Sequence, residues 1–261
     1  MSMLDNVLSN KYLHATGLVV AHILSIFRSK TQVDPQILTA LNTEGYWILP
    51  DFFSESICNM LVQNFDERES IATIVDSDRR IFGMEKVSEL HQHLFADSVF
   101  LKSIGDVHVG MPQILTTTMA AKLYAAPDKL GSGGGWHRDS FLPQFKAICY
   151  LTDVCEANGP FEYVPGSHRL TNKLKFALKT ATRTHSNIPR YTQASIDEYC
   201  RVMGVESKFF VAKKGTVILC DTSGLHRGRP IMEGIRYAMT NYYRSPRLFL
   251  DRRAGKGKVY A

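Results

Sequence analysis

The sequence predicts a mainly β fold, a sandwich or barrel of short antiparallel strands with helices packed on it from the N-terminal side. Three observations carry this reading. Beyond Pro112 short apolar runs alternate with Gly, Pro and Asn punctuation, the pattern of antiparallel strands joined by tight turns. Before Pro112 the chain reads as capped helices. No Pro- or Ser-rich linker and no internal repeat divides the two regions, so residues 1–261 are read as one domain.

In order, residues 1–40 form an N-terminal helical extension. Its most apolar stretch, Leu13 to Phe27, holds 15 residues and two histidines, short of the roughly 20 apolar residues of a spanning helix. An amphipathic helix packed on the domain is the favoured reading over membrane association. Pro35 to Asn42 is a short helix, with Asp34 as N-cap and Pro35 at the first helical position. Gly45 ends it, Tyr46 to Leu49 is a strand stopped by Pro50, and Ser54 caps a helix running to Arg68. Glu85 to Phe95 and Ser98 to Gly105 read as helices. Strands follow at Thr116–Ala125, Ala147–Val154, Phe161–Val164, Lys208–Val211, Thr216–Cys220 and Tyr237–Tyr243, with a glycine-rich loop at Gly131–Gly135.

Composition narrows the function classes. Hydrophobic residues make up 44% and charged residues 21%, ordinary globular usage that excludes disordered and fibrous classes. The net charge of +6 invites an acidic partner, but no basic-aromatic platform for nucleic acid is evident. Five cysteines, without a CxxC pair, argue against a disulfide framework or zinc knuckle and for a reducing, cytoplasmic compartment. Arg169 to Arg190 carries six Lys and Arg and no acidic residue. With the chain that follows, over residues 169–207, it is read as a lid insertion at the barrel mouth, mobile without substrate, whose charge attracts an anion.

The chemistry centres on Trp136-His137-Arg138-Asp139. Residues two apart on a strand share a face, so His137 and Asp139 can aim an imidazole and a carboxylate at one point. His226 follows 87 residues after Asp139, just past an apolar strand. Two histidines and a carboxylate are the facial triad of non-haem Fe(II) oxygenases, which leaves positions open for a cosubstrate and dioxygen. His14, His22, His91, His93, His108, His168 and His185 compete for the third place and are read as surface or packing residues, with His168 in a turn that could border the pocket. Ten residues beyond His226, Arg236 opens the strand RYAMTNYY. A buried guanidinium there suits a carboxylate held by two parallel hydrogen bonds, whereas a strand-edge arginine is the commoner case. Trp136 is assigned to packing, and the turns Asn158-Gly159-Pro160 and Pro165-Gly166-Ser167 to structure.

Taken together these motifs resemble the phytanoyl-CoA dioxygenase family of Fe(II)- and 2-oxoglutarate-dependent oxygenases, which includes ectoine hydroxylase. The matching residues are Gly45 to Ser54, the HxD element at His137 and Asp139, Leu151 to His168 with its NGP and PGSH turns, Gly215 to Asp221, Leu225-His226 and Arg236. The resemblance spans Leu41 to Tyr243. It implies a double-stranded β-helix, the cupin-like jelly roll. It also implies Fe(II) on His137, Asp139 and His226, and 2-oxoglutarate as cosubstrate with its far carboxylate on Arg236. The reaction implied consumes O2, releases succinate and CO2, and usually hydroxylates the substrate. Some relatives carry a serine two residues after the distal histidine, where this chain has Gly228. Further cosubstrate contacts are therefore expected from Lys122 and Tyr124, which share a strand face with Ala120, and from Thr240 on the Arg236 face.

The substrate expected is a small or medium metabolite. The basic insertion with Arg227 and Arg229 points to one bearing phosphate or carboxylate. A non-catalytic jelly-roll binding protein, and a related oxidation such as desaturation, cyclisation or halogenation, stand as alternatives. A complete metal and cosubstrate set argues against the first, and the carboxylate of Asp139 against halogenation.

Overall fold

The computed structural model describes residues 33–245 apart from 77, 127, 130, 132 and 181–189, with backbone alone for 177–180. The Leu13–Phe27 stretch, His14, His22, His185, the side chain of Lys179 and the C-terminal tail lie outside the described residues. Among the described residues no helix is long and apolar enough to cross a membrane.

Helix α1 (Pro35–Thr43) starts where Asp34 accepts from the Gln36 amide at 2.8 Å, so a side chain satisfies an otherwise orphaned donor. Strand β1 (Tyr46–Leu49) and helix α2 (Glu55–Asp66), capped by Ser54, follow. A hairpin that the sequence reading did not anticipate comes next, β2 (Thr73–Val75) and β3 (Asp78–Phe82). The expected helix at Glu85–Phe95 is three short pieces: α3 (Met84–Val87), α4 (Glu89–His91) and a π-turn at Gln92–Ala96. Helix α5 (Val99–Val109) ends at Gly110 in the left-handed conformation. The strands are β4 (Ile114–Tyr124), β5 (Phe145–Tyr150), β6 (Phe161–Tyr163), β7 (Lys208–Phe209), β8 (Val217–Asp221), β9 (His226–Gly228) and β10 (Ile235–Arg244). Between β6 and β7 stand α6 (Leu170–Thr180) and α7 (Gln193–Met203).

All pairings are antiparallel. One sheet runs β1-β8-β5-β10-β4-β3-β2 and faces a smaller one, β7-β6-β9. The large sheet is buried on both faces, and period-two alternation sorts its residues between them. Ala120, Ala147, Cys149, Val217, Leu219, Met239 and Tyr243 pack with Leu41, Leu61, Phe65, Phe95, Leu101 and Ile104 of the helical layer. Their strand neighbours Ala121, Leu123, Tyr150, Ile218, Cys220 and Ala238 pack inward with Phe161 and Tyr163 of the small sheet. This is the jelly-roll core with helices on its outer face.

A third apolar cluster joins the insertion to the metal-strand region. Trp136, Val164 and Leu225 pack with Phe176 of α6 and with Ile196 and Tyr199 of α7. Trp136 is thus a packing residue, as expected. Lys173, counted in the sequence reading among charges free to attract an anion, is buried instead. Its ammonium donates to the Phe141 carbonyl at 2.7 Å and to Ser223 Oγ at 3.0 Å, because the apolar face of α6 seats its stem against the core.

Two buried histidines make this frame sensitive to acid. Burial, reinforced by the charge of Arg68, pushes His91 down from 6.5 to about 4. Burial likewise takes His168 from 6.5 to about 4 against the opposing charge of Asp221. Both folded values lie below the unfolded one, so between them the unfolded chain binds more protons. Their contribution to stability is full above about 6.5 and is lost as pH falls toward 4. Urea unfolding measured across that window should show the decline, and His168→Asn should flatten it. An identical pH slope in the variant would contradict this origin.

Candidate functional site

The cleft between the two sheets is lined by residues of β3, β4, β5, β6, β9 and β10. Its lining includes His137, His226, Lys146, Arg80, Arg236, Thr240 and Gly228, with Met119, Leu123, Ile148 and Phe161 as apolar wall. His137 and His226 face each other across a reciprocal backbone pair, each amide donating to the other's carbonyl at 3.0 Å. Their ring centroids stand 4.3 Å apart. The amide of Asp139 donates to the Thr222 carbonyl at 3.0 Å, which places its carboxylate 3.6 Å from Nε2 of each histidine. Among the described residues these three form the group able to hold a metal ion, with ligand atoms within 4.8 Å of one another.

Local chemistry prepares these donors. Nδ1 of His137 lies 2.8 Å from the Gly135 carbonyl, and Nδ1 of His226 lies 3.0 Å from the Gly224 carbonyl. A carbonyl only accepts, so both Nδ1 atoms carry the proton and both Nε2 lone pairs face the centre. Burial lowers both imidazoles, His226 to about 3, so each is a neutral donor at physiological pH. Burial opposes the charge on Asp139, but the Lys146 ammonium outweighs it and holds the carboxyl below its ordinary range. Gly133, at φ +86°, brings the glycine-rich loop against the site. A Cβ there would stand 2.8 Å from His137 Cε1.

The clamp behind the ligands uses the PGSH turn. Arg138, between the two HxD ligands and itself buried, donates to the carbonyls of Ser167 and Ser223 at 2.7 and 2.6 Å. Ser167 Oγ accepts from the Leu225 amide at 2.7 Å, one residue before His226. Asp221 takes His108 Nε2 at 3.1 Å and the amides of Gln144 and Ser223. The other candidate histidines stand apart from the centre: His91 on Ser88, His93 beside Asp97, His108 on Asp221 and His168 on the Asn42 carbonyl.

Arg236 and Thr240 project from β10 into the cleft. Arg236 is 5% exposed, and its Nε and Nη1 are buried without a hydrogen-bond partner. Unsatisfied buried donors on a guanidinium are costly, and a carboxylate docked in the cleft satisfies both. The residues therefore fit a metal ion with a carboxylate-bearing cosubstrate.

Lys122 and Tyr124 do not belong to this cleft. Ala120 faces the helical layer, so Lys122 and Tyr124, on the same face of β4, point there too. Lys122 pairs with Asp66 and Glu69 at 3.0 and 2.9 Å, and the Tyr124 hydroxyl donates to Glu69 at 3.2 Å. Their neighbours Ala121 and Leu123 line the cleft instead. Arg227 and Arg229 are also committed elsewhere. Both approach Glu162, at 2.7 and 3.8 Å, and stack on Trp136 and Phe209.

Two cleft residues escaped the sequence reading. Arg80 enters from β3, held by Asp78 at 2.6 Å. The alternation in TIVDSDRRIF around an Asp-Ser turn was the signal for that hairpin. Lys146 enters from β5, and its ammonium lies 2.5 Å from Asp139 Oδ2. It is a lone charge in an apolar strand, the pattern of a buried polar residue with a partner.

The insertion returns to the chain beside the metal-binding residues. Arg190 bridges to His137 in the backbone and donates to the Gly133 and Gly134 carbonyls at 2.6 and 2.7 Å.

The sequence matches the phytanoyl-CoA dioxygenase (PhyH) family over residues 41–234, ending just before Arg236. No curated protein sequence matches significantly. Solved structures of similar fold include EctD from S. alaskensis with 2-oxoglutarate and 5-hydroxyectoine, at TM-score 0.60 and 18% identity over 84% of this chain and 79% of that one. HygX from Streptomyces hygroscopicus with nickel and 2-oxoglutarate gives 0.58 and 18%, over 84% and 89%. The epimerase SnoN, in complex with Fe3+, alpha ketoglutarate and nogalamycin RO, gives 0.60 and 14%, over 85% and 90%. With most of its length inside the family match, and with a His-Asp-His centre and an unsatisfied arginine in one cleft, the chain belongs to the phytanoyl-CoA dioxygenase family of iron- and 2-oxoglutarate-dependent oxidoreductases.

Proposed function

We propose that the chain hydroxylates a small or medium anionic metabolite, with His137, Asp139 and His226 holding iron and Arg236 holding 2-oxoglutarate. The observation that carries this is the convergence of the three ligand atoms with the partnerless Nε and Nη1 of Arg236 on one cleft. Iron with 2-oxoglutarate and O2 supplies the oxidation, one oxygen atom going to the substrate and one to succinate as CO2 leaves.

The protein's part is positioning and exclusion of water. The carbonyls of Gly135 and Gly224 fix the imidazole tautomers, and Lys146 holds the Asp139 carboxylate ionised. Arg236, planar and forked, sets the angle of the bound carboxylate, with Thr240 four residues on, two repeats of the pleat away on the same face. Met119, Leu123, Ile148 and Phe161 keep the cleft apolar, which strengthens each polar contact inside it. Gly228 lines the cleft where a serine would narrow it. A single oxygenase domain with 169–207 as an insertion beside the cleft, in a cytoplasmic setting that keeps Cys58, Cys149 and Cys220 as buried thiols, completes the reading.

Fe(II)-dependent conversion of 2-oxoglutarate to succinate, screened against carboxylated and phosphorylated metabolites, tests it. Asp139→Ala and His226→Ala should each remove metal binding and turnover, and full activity in either would sink the assignment. Arg236→Lys keeps the charge but loses the fork, and should weaken 2-oxoglutarate binding about tenfold or more. Lys122→Met should leave that affinity unchanged while lowering stability by about 1 kcal/mol, because its ion pairs are only partly buried. Weakened cosubstrate binding in Lys122→Met would restore that residue to the site.

A further inference from the structure

Lys146 counters the Asp139 carboxylate, but an ammonium has three donors and that contact takes one. Its side chain is buried between the Asp139 carboxylate, at 2.5 Å, and the Tyr242 ring, whose centroid is 4.1 Å from the ammonium. It nevertheless lines the cleft, with Thr222 and Tyr242 beside it. Register places it at the other end of the site from Arg236. Lys146 pairs with Tyr242 across the β5–β10 ladder, and Arg236 lies six residues back along β10, about 20 Å of strand at ~3.3 Å per residue. The metal-binding trio lies at the Lys146 end, through the contact with Asp139.

Charge matching then leaves this lysine over. Arg80 is matched by Asp78. Arg236 takes one carboxylate of the cosubstrate. A divalent ion is matched by Asp139 and the other carboxylate. Once Asp139 ligates a cation, Lys146 has beside it a dication in place of a free carboxylate, and a buried ammonium in that position needs another anion. Among the described residues Asp139 is the acidic side chain beside it.

We infer that Lys146 binds an acidic group of the primary substrate, a carboxylate or phosphate, on the side of the metal centre away from Arg236. This rests on the oxygenase reading above and adds the position and partner of the substrate's charge. It also transfers the anion preference from the basic insertion, whose Lys173 is committed inside the fold, to the floor of the cleft.

The test uses the full chain loaded with Co(II), without O2 and saturated with 2-oxoglutarate, titrated with butyrate, inorganic phosphate and neutral butyramide. Binding is read from the Co(II) absorption spectrum and by calorimetry. Butyrate or phosphate should bind at least about tenfold more tightly than butyramide, as a charge-assisted contact requires. Lys146→Met should lose that preference and Lys146→Arg should keep most of it, each compared at saturating Co(II) and 2-oxoglutarate, with weaker metal uptake expected in Lys146→Met because Asp139 loses its counter-charge.

The inference is overturned if neither anion binds the native protein, or if Lys146→Met binds them as well as the native protein does, which would put the anion on the metal alone. It is equally overturned if the variant loses 2-oxoglutarate affinity while anion binding persists, since the lysine would then serve the cosubstrate. Should Lys146→Met not fold, the butyrate–butyramide comparison in the native protein and the Lys146→Arg result decide. Failure of the native protein to take up metal and 2-oxoglutarate would instead refute the oxygenase reading beneath it.

Discussion

Everything in the site depends on the reciprocal backbone pair between His137 and His226. Two segments 89 residues apart in sequence are locked side by side there, and the lock brings both imidazoles to one point. Short pairings of this kind do not hold alone. Arg138 ties the flanking turns together through the Ser167 and Ser223 carbonyls, and losing it would leave two buried acceptors unmet, at about 1–3 kcal/mol each. Ser167 in turn fixes the residue before His226. The PGSH turn, silent in the chemistry, is therefore what holds the second histidine in register with the first.

The second constraint is electrostatic. A cleft walled by Met119, Leu123, Ile148 and Phe161 contains Arg80, Lys146 and Arg236. Cations in so dry a place are tolerated only with counter-charges, and the protein supplies Asp78 to one and Asp139 to another. Arg236 keeps two donors in reserve. The cleft is thus built to be completed by anions; the Lys146 charge keeps Asp139 ionised and burial keeps the two histidines neutral, the protonation states that metal ligation requires.

Much of this was legible before any coordinates. The HxD spacing put His137 and Asp139 on one face, because a two-residue period on a strand states where side chains point, and the family resemblance chose His226 among the competing histidines. Arg236 came with the family resemblance, and Thr240 from alternation along β10 relative to it. The rule misled at Lys122 and Tyr124 for a physical reason. Both faces of the large sheet are buried, so alternation shows that residues share a face without showing which face it is. The helices capped by Asp34 and Ser54 were readable from local chemistry. Arg80 was hidden because its hairpin is short and charged, and Lys146 because the sequence reading began that strand at Ala147, one residue too late to include it. The charge run at 169–190 suggested a free basic surface, but the amphipathic packing of α6 buries Lys173, which composition does not reveal.

Anaerobic titration of the protein with Fe(II) and then with 2-oxoglutarate tests the central claim most directly. The account predicts one iron per chain, and a visible iron-to-cosubstrate charge-transfer band that saturates at one 2-oxoglutarate per iron. Replacing Asp139 with Ala should abolish the first, and replacing Arg236 with Gln should weaken only the second. Iron uptake that is indifferent to His137, Asp139 and His226, or a protein that binds iron but develops no such band, would contradict it.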